Sequence, residues 1–199
     1  MTKHRSIARI CTGAFLAGLL AAATALPAQA YSTWYGNRLI YGIGGGGQAY
    51  WIASSAAGYT GSIDAAMRNW INTSSRIGVR TPLYWTKTTT KSAARMEVHA
   101  VNLPTASYCA KTYHYKQGAL VTPWTGPNQN WVWGKFDINA GIYWTSGCTN
   151  RQGIISHEMG HVFGLAHNGD SSTLMYTYVA GTGVLWATVD EANGINALY

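Results

Sequence analysis

The stretch His157-Glu158-Met159-Gly160-His161-Val162-Phe163-Gly164-Leu165-Ala166-His167 places three imidazoles and one carboxylate within eleven residues. On an α-helix, His157 and His161 share one face, so their rings can converge on a single cation. Glu158 stands beside the first of them, placed to act on a water without taking a coordination position itself. His167 cannot continue the same straight helix. At about 1.5 Å per residue it would lie roughly 9 Å beyond His161, whereas a Zn–N bond is about 2.0–2.1 Å. The chain must turn between them, and Gly164 tolerates the left-handed backbone that such a turn needs. Three neutral imidazoles with a fourth position open are the ligand set of a hydrolytic zinc: His157, His161 and His167 as ligands, Glu158 as general base. A buried amphipathic helix with incidental histidines would explain a bare HExxH more readily than it explains the full pattern.

The residues around the motif suit a supporting core. Gln152 to Ser156 leads into the motif helix, and Val162, Phe163 and Leu165 are apolar anchors. A second helix is expected over Ser62 to Thr73, with Ser62 as cap and Asp64 in its first turn. Its stripe of Ile63, Met67, Trp70 and Ile71 reads as core. Strands are expected at Asn37 to Ile43, Leu83 to Thr90, Arg95 to Val101 and Lys135 to Asn139; Met96, Val98 and Ala100 alternate with Glu97, His99 and Val101. Residues 104–131, with Pro104, Pro123 and Pro127, read as long loops plus one edge strand. His99 and His114 read as sheet or surface histidines, with a second metal site as the alternative. Trp124, Trp131, Trp133 and Trp144 read as packing residues, with the rim of a cleft as the alternative. Residues 42–47 formally satisfy GxGxxG, but no helix of a βαβ unit follows directly, so they read as a flexible connection and not a phosphate loop. Asn168-Gly169-Asp170 is a turn, and Val189 to Tyr199 a short C-terminal helix.

Residues 1–30 have the form of a secretory signal: Lys3, Arg5 and Arg9, then an Ala/Leu-rich run, then Ala28-Gln29-Ala30. Cleavage there starts the mature chain at Tyr31 and leaves 31–199 as one catalytic domain, large enough for a real core. No second apolar run offers a membrane anchor. Three of the fourteen Lys/Arg residues fall in the leader and all seven acidic residues lie beyond it, so the mature excess is four positive charges. They are spread along the chain, which argues against a nucleic-acid partner. Cys11 leaves with the leader. Cys109 and Cys148 remain, an even pair in an oxidising setting, and are expected to form a disulfide. Secretion and a monomeric state are expected.

With Met175 eight residues beyond His167, HExxHxxGxxH resembles the metzincin pattern. Leu174-Met175-Tyr176 and the ending Asp190 to Tyr199 look most like the matrixin branch, and Trp34 with Leu39-Ile40-Tyr41, then a helix ending near Trp70, follows the usual matrixin order. The resemblance implies an α+β, zincin-like catalytic domain: a twisted, mostly parallel sheet with an active-site helix, a long N-terminal helix and a C-terminal helix. It implies one catalytic Zn²⁺, Met175 as an apolar floor beneath it, and an edge strand that pairs with an extended peptide or protein substrate. Tyr176 or Tyr178 are candidates for oxyanion or pocket roles. Structural Ca²⁺ or a second Zn²⁺ stays open, because no clear loop for either is present.

Departures from the pattern matter. Thr177 stands where matrixins usually have proline two residues after the methionine, which leaves the wall of the specificity pocket unread. No counterpart of the latency cysteine is seen. Small secreted actinobacterial proteases of the snapalysin type are also similar, but they carry aspartate where this chain has His167. The astacin tyrosine ligand does not transfer, since Tyr178 is three residues after Met175. The expected function is a secreted zinc endopeptidase of a compact bacterial matrixin-like type. The alternatives are a secreted binding protein on the same scaffold that no longer cleaves, and a zinc amidase acting on cell-wall material.

Overall fold

A computed structural model describes residues 31–199; the expected signal, 1–30, lies outside them. In chain order the elements are β1 (Ser32–Thr33), β2 (Ala49–Ile52), α1 (Thr60–Ile71), α2 (Thr73–Ile77), β3 (Thr86–Lys87), β4 (Met96–Val101), β5 (Ala110–Lys116), β6 (Ala119–Val121), β7 (Trp133–Asn139), α3 (Arg151–Phe163), β8 (Leu165–Ala166) and α4 (Val189–Leu198). Six strands form one sheet in the order β3-β2-β4-β7-β5-β6. The first four run parallel; β5 is antiparallel to β7, and β6 returns antiparallel to β5. This is the expected α+β arrangement, and Met96, Val98, Phe136 and Ile138 turn their side chains from the two central strands into the core.

Helices α1 and α3 pack against each other, and α3 lies on β5 and β7. The stripe on α1 buries Ile63, Met67 and Trp70, which meet Ile155, Met159 and Phe163 of α3 in one cluster. Because α3 is buried from Gly153 to Phe163, polar side chains from its neighbours supplement its own ladder. The indole N–H groups of Trp70 and Trp131 donate to the Ser156 and Val162 carbonyls at 3.0 and 3.2 Å. Both large rings thereby enter the core with their one polar atom satisfied. The other sheet face carries Glu97, His99, Lys135 and Asp137, which pair along their own strands.

Several expectations on boundaries are corrected. Asn37 to Ile43 is not a strand: Asn37 is buried as a loop clamp, donating to the Pro123 and Gly126 carbonyls, and Leu39 makes only an isolated bridge to Trp131. Helix α1 starts at Thr60, two residues before Ser62, and has no side-chain cap. A 3-10 turn, Ser54–Tyr59, runs straight into it and its carbonyls receive the incoming N–H groups, as Thr60 N–H to Ala57 O shows. Asp64 instead accepts from Tyr50 Oη at 2.9 Å and Lys87 Nζ at 3.1 Å. Within Leu83 to Thr90 only Thr86–Lys87 is strand, because β2 offers partners only at Ala49 and Tyr50. Residues 104–131 hold two strands where one was expected. The β5–β6 hairpin turns on Gln117 and Gly118, with φ of 52° and 79°; two successive positive φ values match the twist of paired strands. The three prolines lie outside both strands.

Candidate metal centre and cleft

Helix α3 begins under Asn150, whose side chain accepts from Gly153 N–H at 3.0 Å and donates to the Val179 and Val184 carbonyls. It ends at Gly164, with φ of 109°, as the motif requires. A side chain there would be strained and would also press on Leu198, 2.8 Å from the added carbon. Beyond the turn, β8 pairs antiparallel with β1 (Thr33 opposite Leu165, Ser32 opposite Ala166) and delivers His167 back toward the helix. The Met175 loop closes the site from below. Met175 N–H donates to Glu191 Oε1 at 3.0 Å, and Met175 O accepts from Asn168 N–H at 2.9 Å. Its sulfur lies so close to Gly160 that an added β-carbon would sit 2.5 Å away. The methionine thus packs against the helical turn between His157 and His161.

His157, His161 and His167 converge as the sequence spacing predicts, and among the described residues they form the one cluster of three or more metal-ligating side chains. His157 Nδ1 donates to the Leu174 carbonyl at 2.7 Å, and His161 Nδ1 donates to the Leu165 carbonyl at 2.8 Å. A carbonyl only accepts, so each Nδ1 carries the hydrogen and each Nε2 presents a lone pair. His167 Nε2 lies 3.1 Å from both of these Nε2 atoms. Tetrahedral zinc with bonds near 2.05 Å needs ligand nitrogens about 3.3 Å apart. Lone pairs gathered this closely fit a cation, and the donor set fits zinc. Burial holds the imidazoles neutral: His157 is pushed down to about 3, and His161 well below its ordinary value by burial and by the other two rings.

Glu158 lies on the cleft side of the same turn and is 7 % exposed. Burial raises its carboxyl to about 7, against a hydrogen bond from Thr112 that lowers it. A dication at the three nitrogens opposes that rise. The cleft has a volume of about 800 Å³. One wall is the start of β5, Ala110 to Thr112; the other is Thr177 to Gly181, which includes a 3-10 turn at Val179–Gly181. Thr177 keeps an N–H that donates to the Asn168 carbonyl at 3.4 Å, a bond that proline could not make. Tyr178, 72 % exposed, lines the cleft, whereas Tyr176 stands behind it with its ring 5.8 Å from that of Tyr178. Cys109 and Cys148 are joined in a disulfide that ties the start of β5 to the loop ahead of α3.

Other residues bear on the site although their role was not legible in the sequence. Trp34 stacks on His161, centroids 5.0 Å apart and planes 19° from parallel, and lines the cleft beside Trp124. His114 is fully buried beneath Trp34 and Trp131 and donates from Nε2 to the His161 carbonyl at 3.0 Å. Thr112 reaches Glu158. These partners come from distant parts of the chain, so only strand register reveals them. His99 bonds Glu97 at 2.9 Å. Of the four singled-out tryptophans, Trp131 is core, Trp133 stacks on Tyr115, Trp144 stacks on Tyr59, and Trp124 rims the cleft.

A three-histidine zinc site, split between a helix and the turn after it and set against the edge of a mostly parallel sheet, defines a metzincin-type metal domain. The family model of the matrixins, peptidase family M10, matches residues 63–199, and the chain belongs to this family. Over 90 residues it is 33 % identical to interstitial collagenase of Bos taurus, covering 39 % of this chain and 19 % of that protein. Over 58 residues it is 40 % identical to interstitial collagenase of Equus caballus, covering 28 % of this chain and 12 % of that protein. The chain thus spans less than a fifth of the length of these relatives.

Proposed function

We propose that the chain is a secreted zinc-dependent endopeptidase, in which residues 1–30 are a cleaved signal and 31–199 the catalytic domain, of a compact bacterial matrixin-like type. The observation that carries the activity is the convergence of three imidazole lone pairs beside Glu158, on the floor of a cleft flanked by a sheet edge. Zinc, when held by His157, His161 and His167, supplies Lewis acidity that lowers the pKa of water toward about 7 and polarises a carbonyl. Glu158 takes the proton of the attacking water and returns it to the leaving amine, general base and then general acid. The β5 edge at Ala110 to Thr112 pairs with an extended peptide backbone, while the segment Thr177 to Gly181 faces a substrate side chain. To Tyr178, which lines that wall, we assign support of the developing oxyanion. The disulfide and the signal-like leader support secretion, and the substrate is a peptide or protein.

The test is digestion of casein and of a denatured proteome, with and without a zinc chelator, alongside Glu158→Gln. Cleavage should stop on chelation. The variant should keep one equivalent of zinc and lose about 10²- to 10⁴-fold in rate. Near-normal turnover by the variant would remove Glu158 from the mechanism. Muropeptide cleavage without peptide cleavage would point to an amidase, and zinc binding with neither activity to a binding protein.

A further inference from the structure

Strand β5 presents two different rows of groups at the cleft. The carbonyls of Cys109 and Tyr115 accept from Asn139 and Val132 N–H at 2.9 and 2.8 Å, so the odd-numbered residues bond toward β7. Antiparallel pairing alternates, which turns the N–H and C=O of the even-numbered residues to the opposite edge. There β6 covers His114 and Lys116 through Val121 and Ala119, and stops. Ahead of that point, the backbone groups of Ala110 and Thr112 have no backbone partner among the described residues. Side chains alternate as well. Thr112 is 8 % exposed, and its Oγ1 lies 2.6 Å from Glu158 Oε2 and 3.1 Å from the Glu158 carbonyl. One hydroxyl proton serves one of these acceptors at a time, and the shorter contact, to a carboxylate, is the stronger. Among the described residues no group bonds the other carboxyl oxygen, and Glu158 lines the cleft.

We infer that Thr112 is a positioning residue: its hydroxyl fixes the plane of the Glu158 carboxylate while its own backbone faces the peptide, so that one residue sets both the register of the substrate and the aim of the base. This rests on the endopeptidase reading above. The terminal torsion of a glutamate is broad, and a short bond to one oxygen narrows it. The β-branch of threonine restricts χ1 on the strand, so the hydroxyl is itself held. Two residues on, His114 holds the His161 carbonyl from the same strand face. The peptide-binding strand thus grips the catalytic turn at the base and at a metal-ligand residue.

The test compares Thr112→Val and Thr112→Ser with the wild type by two readouts. The first is steady-state cleavage of a peptide found in the proteome digest. Thr112→Val should lower kcat about ten- to a hundredfold, with KM within about threefold and zinc stoichiometry unchanged; Thr112→Ser should restore most of the loss. The second is the side-chain carboxyl resonance of Glu158 in zinc-free, ¹³C-glutamate-labelled protein, resolvable because the chain has only three glutamates, Glu97, Glu158 and Glu191. It should move in Thr112→Val and return in Thr112→Ser. An unmoved resonance, a wild-type kcat in Thr112→Val, or an equal loss in both variants would overturn the inference. If the wild type cleaved no peptide, the endopeptidase reading would fail, while the resonance would still decide whether Thr112 holds the carboxylate.

Discussion

His161 is held from four directions, and each contact does something separate. The Leu165 carbonyl fixes its tautomer, His114 secures its backbone carbonyl, His157 and His167 bring their Nε2 atoms alongside, and Trp34 covers one face of the ring. Partners behind a metal ligand restrict the motion that would let the metal go, and losing one typically costs about 10- to 100-fold in affinity. Trp34→Leu should therefore release zinc to a chelator about tenfold faster, measured well below the melting temperature so that unfolding does not contribute. An unchanged release rate would make Trp34 a packing residue alone. At this scale the sequence was informative wherever chemistry follows from spacing: the histidines and Glu158 are close in the chain, and a helix plus a turn brings them together. Trp34, Thr112 and His114 were illegible because their contacts depend on a strand register that no local pattern encodes. Glu191 is different. It is fully buried, closes a capping box with Thr188, and bonds Met175 N–H. The Thr188-x-x-Glu191 spacing was there to be seen.

Elements matter here mainly by where they stop. Helix α3 must end within one turn of His161, or His167 would be carried away along the axis. Gly164 ends it with φ of 109°, and β8 then runs back beside β1. Gly164→Ala places a side chain in a backbone region that disfavours it, 2.8 Å from Leu198 and 3.2 Å from the Asn37 carbonyl. The variant should lose about 1–3 kcal/mol of stability, and zinc affinity should fall by more than the melting temperature alone explains, because the displaced turn carries a ligand. Calorimetry and zinc titration would separate the two effects; a variant less stable yet with unaltered affinity would mean that β1 alone sets the position of His167. The same scale shows why boundaries were harder to read than elements. The alternation over 95–101 and the stripe of α1 were legible, because burial on one face imposes a period. The length of β3 depends on that of β2, and the entry into α1 on a preceding 3-10 turn; neither is a property of the segment itself.

At the scale of the whole molecule, the core and the metal centre are continuous, so proton binding at the site is also a folding event. His114 is pushed down to about 4 and His157 to about 3, and His161 is held well below its ordinary value, in each case chiefly by burial. In the unfolded chain all three titrate near 6.5. Below about pH 6.5 the unfolded state takes up protons that the folded state refuses, so this part of the stability is complete above that pH and is lost as the pH falls toward 4. Glu158 acts in the opposite sense. Its folded value is raised to about 7, so it contributes stability at low pH that is lost as the pH rises through 7. Three imidazoles against one carboxyl leave a net difference of two protons, or roughly 2.7 kcal/mol per pH unit at its steepest. Domains of this size are stable by about 5–15 kcal/mol, so the zinc-free protein should unfold on acidification well above the pH at which ordinary carboxylates titrate. Zinc, which requires the neutral imidazoles, adds stability at neutral pH and is displaced by protons over the same interval. The urea midpoint of zinc-free protein with its disulfide intact should fall steeply between pH 6.5 and 4.5, and the increment due to zinc should vanish over that range. A flat zinc-free midpoint would mean that these imidazoles accept protons inside the folded domain, and that their burial does not couple the metal centre to the core.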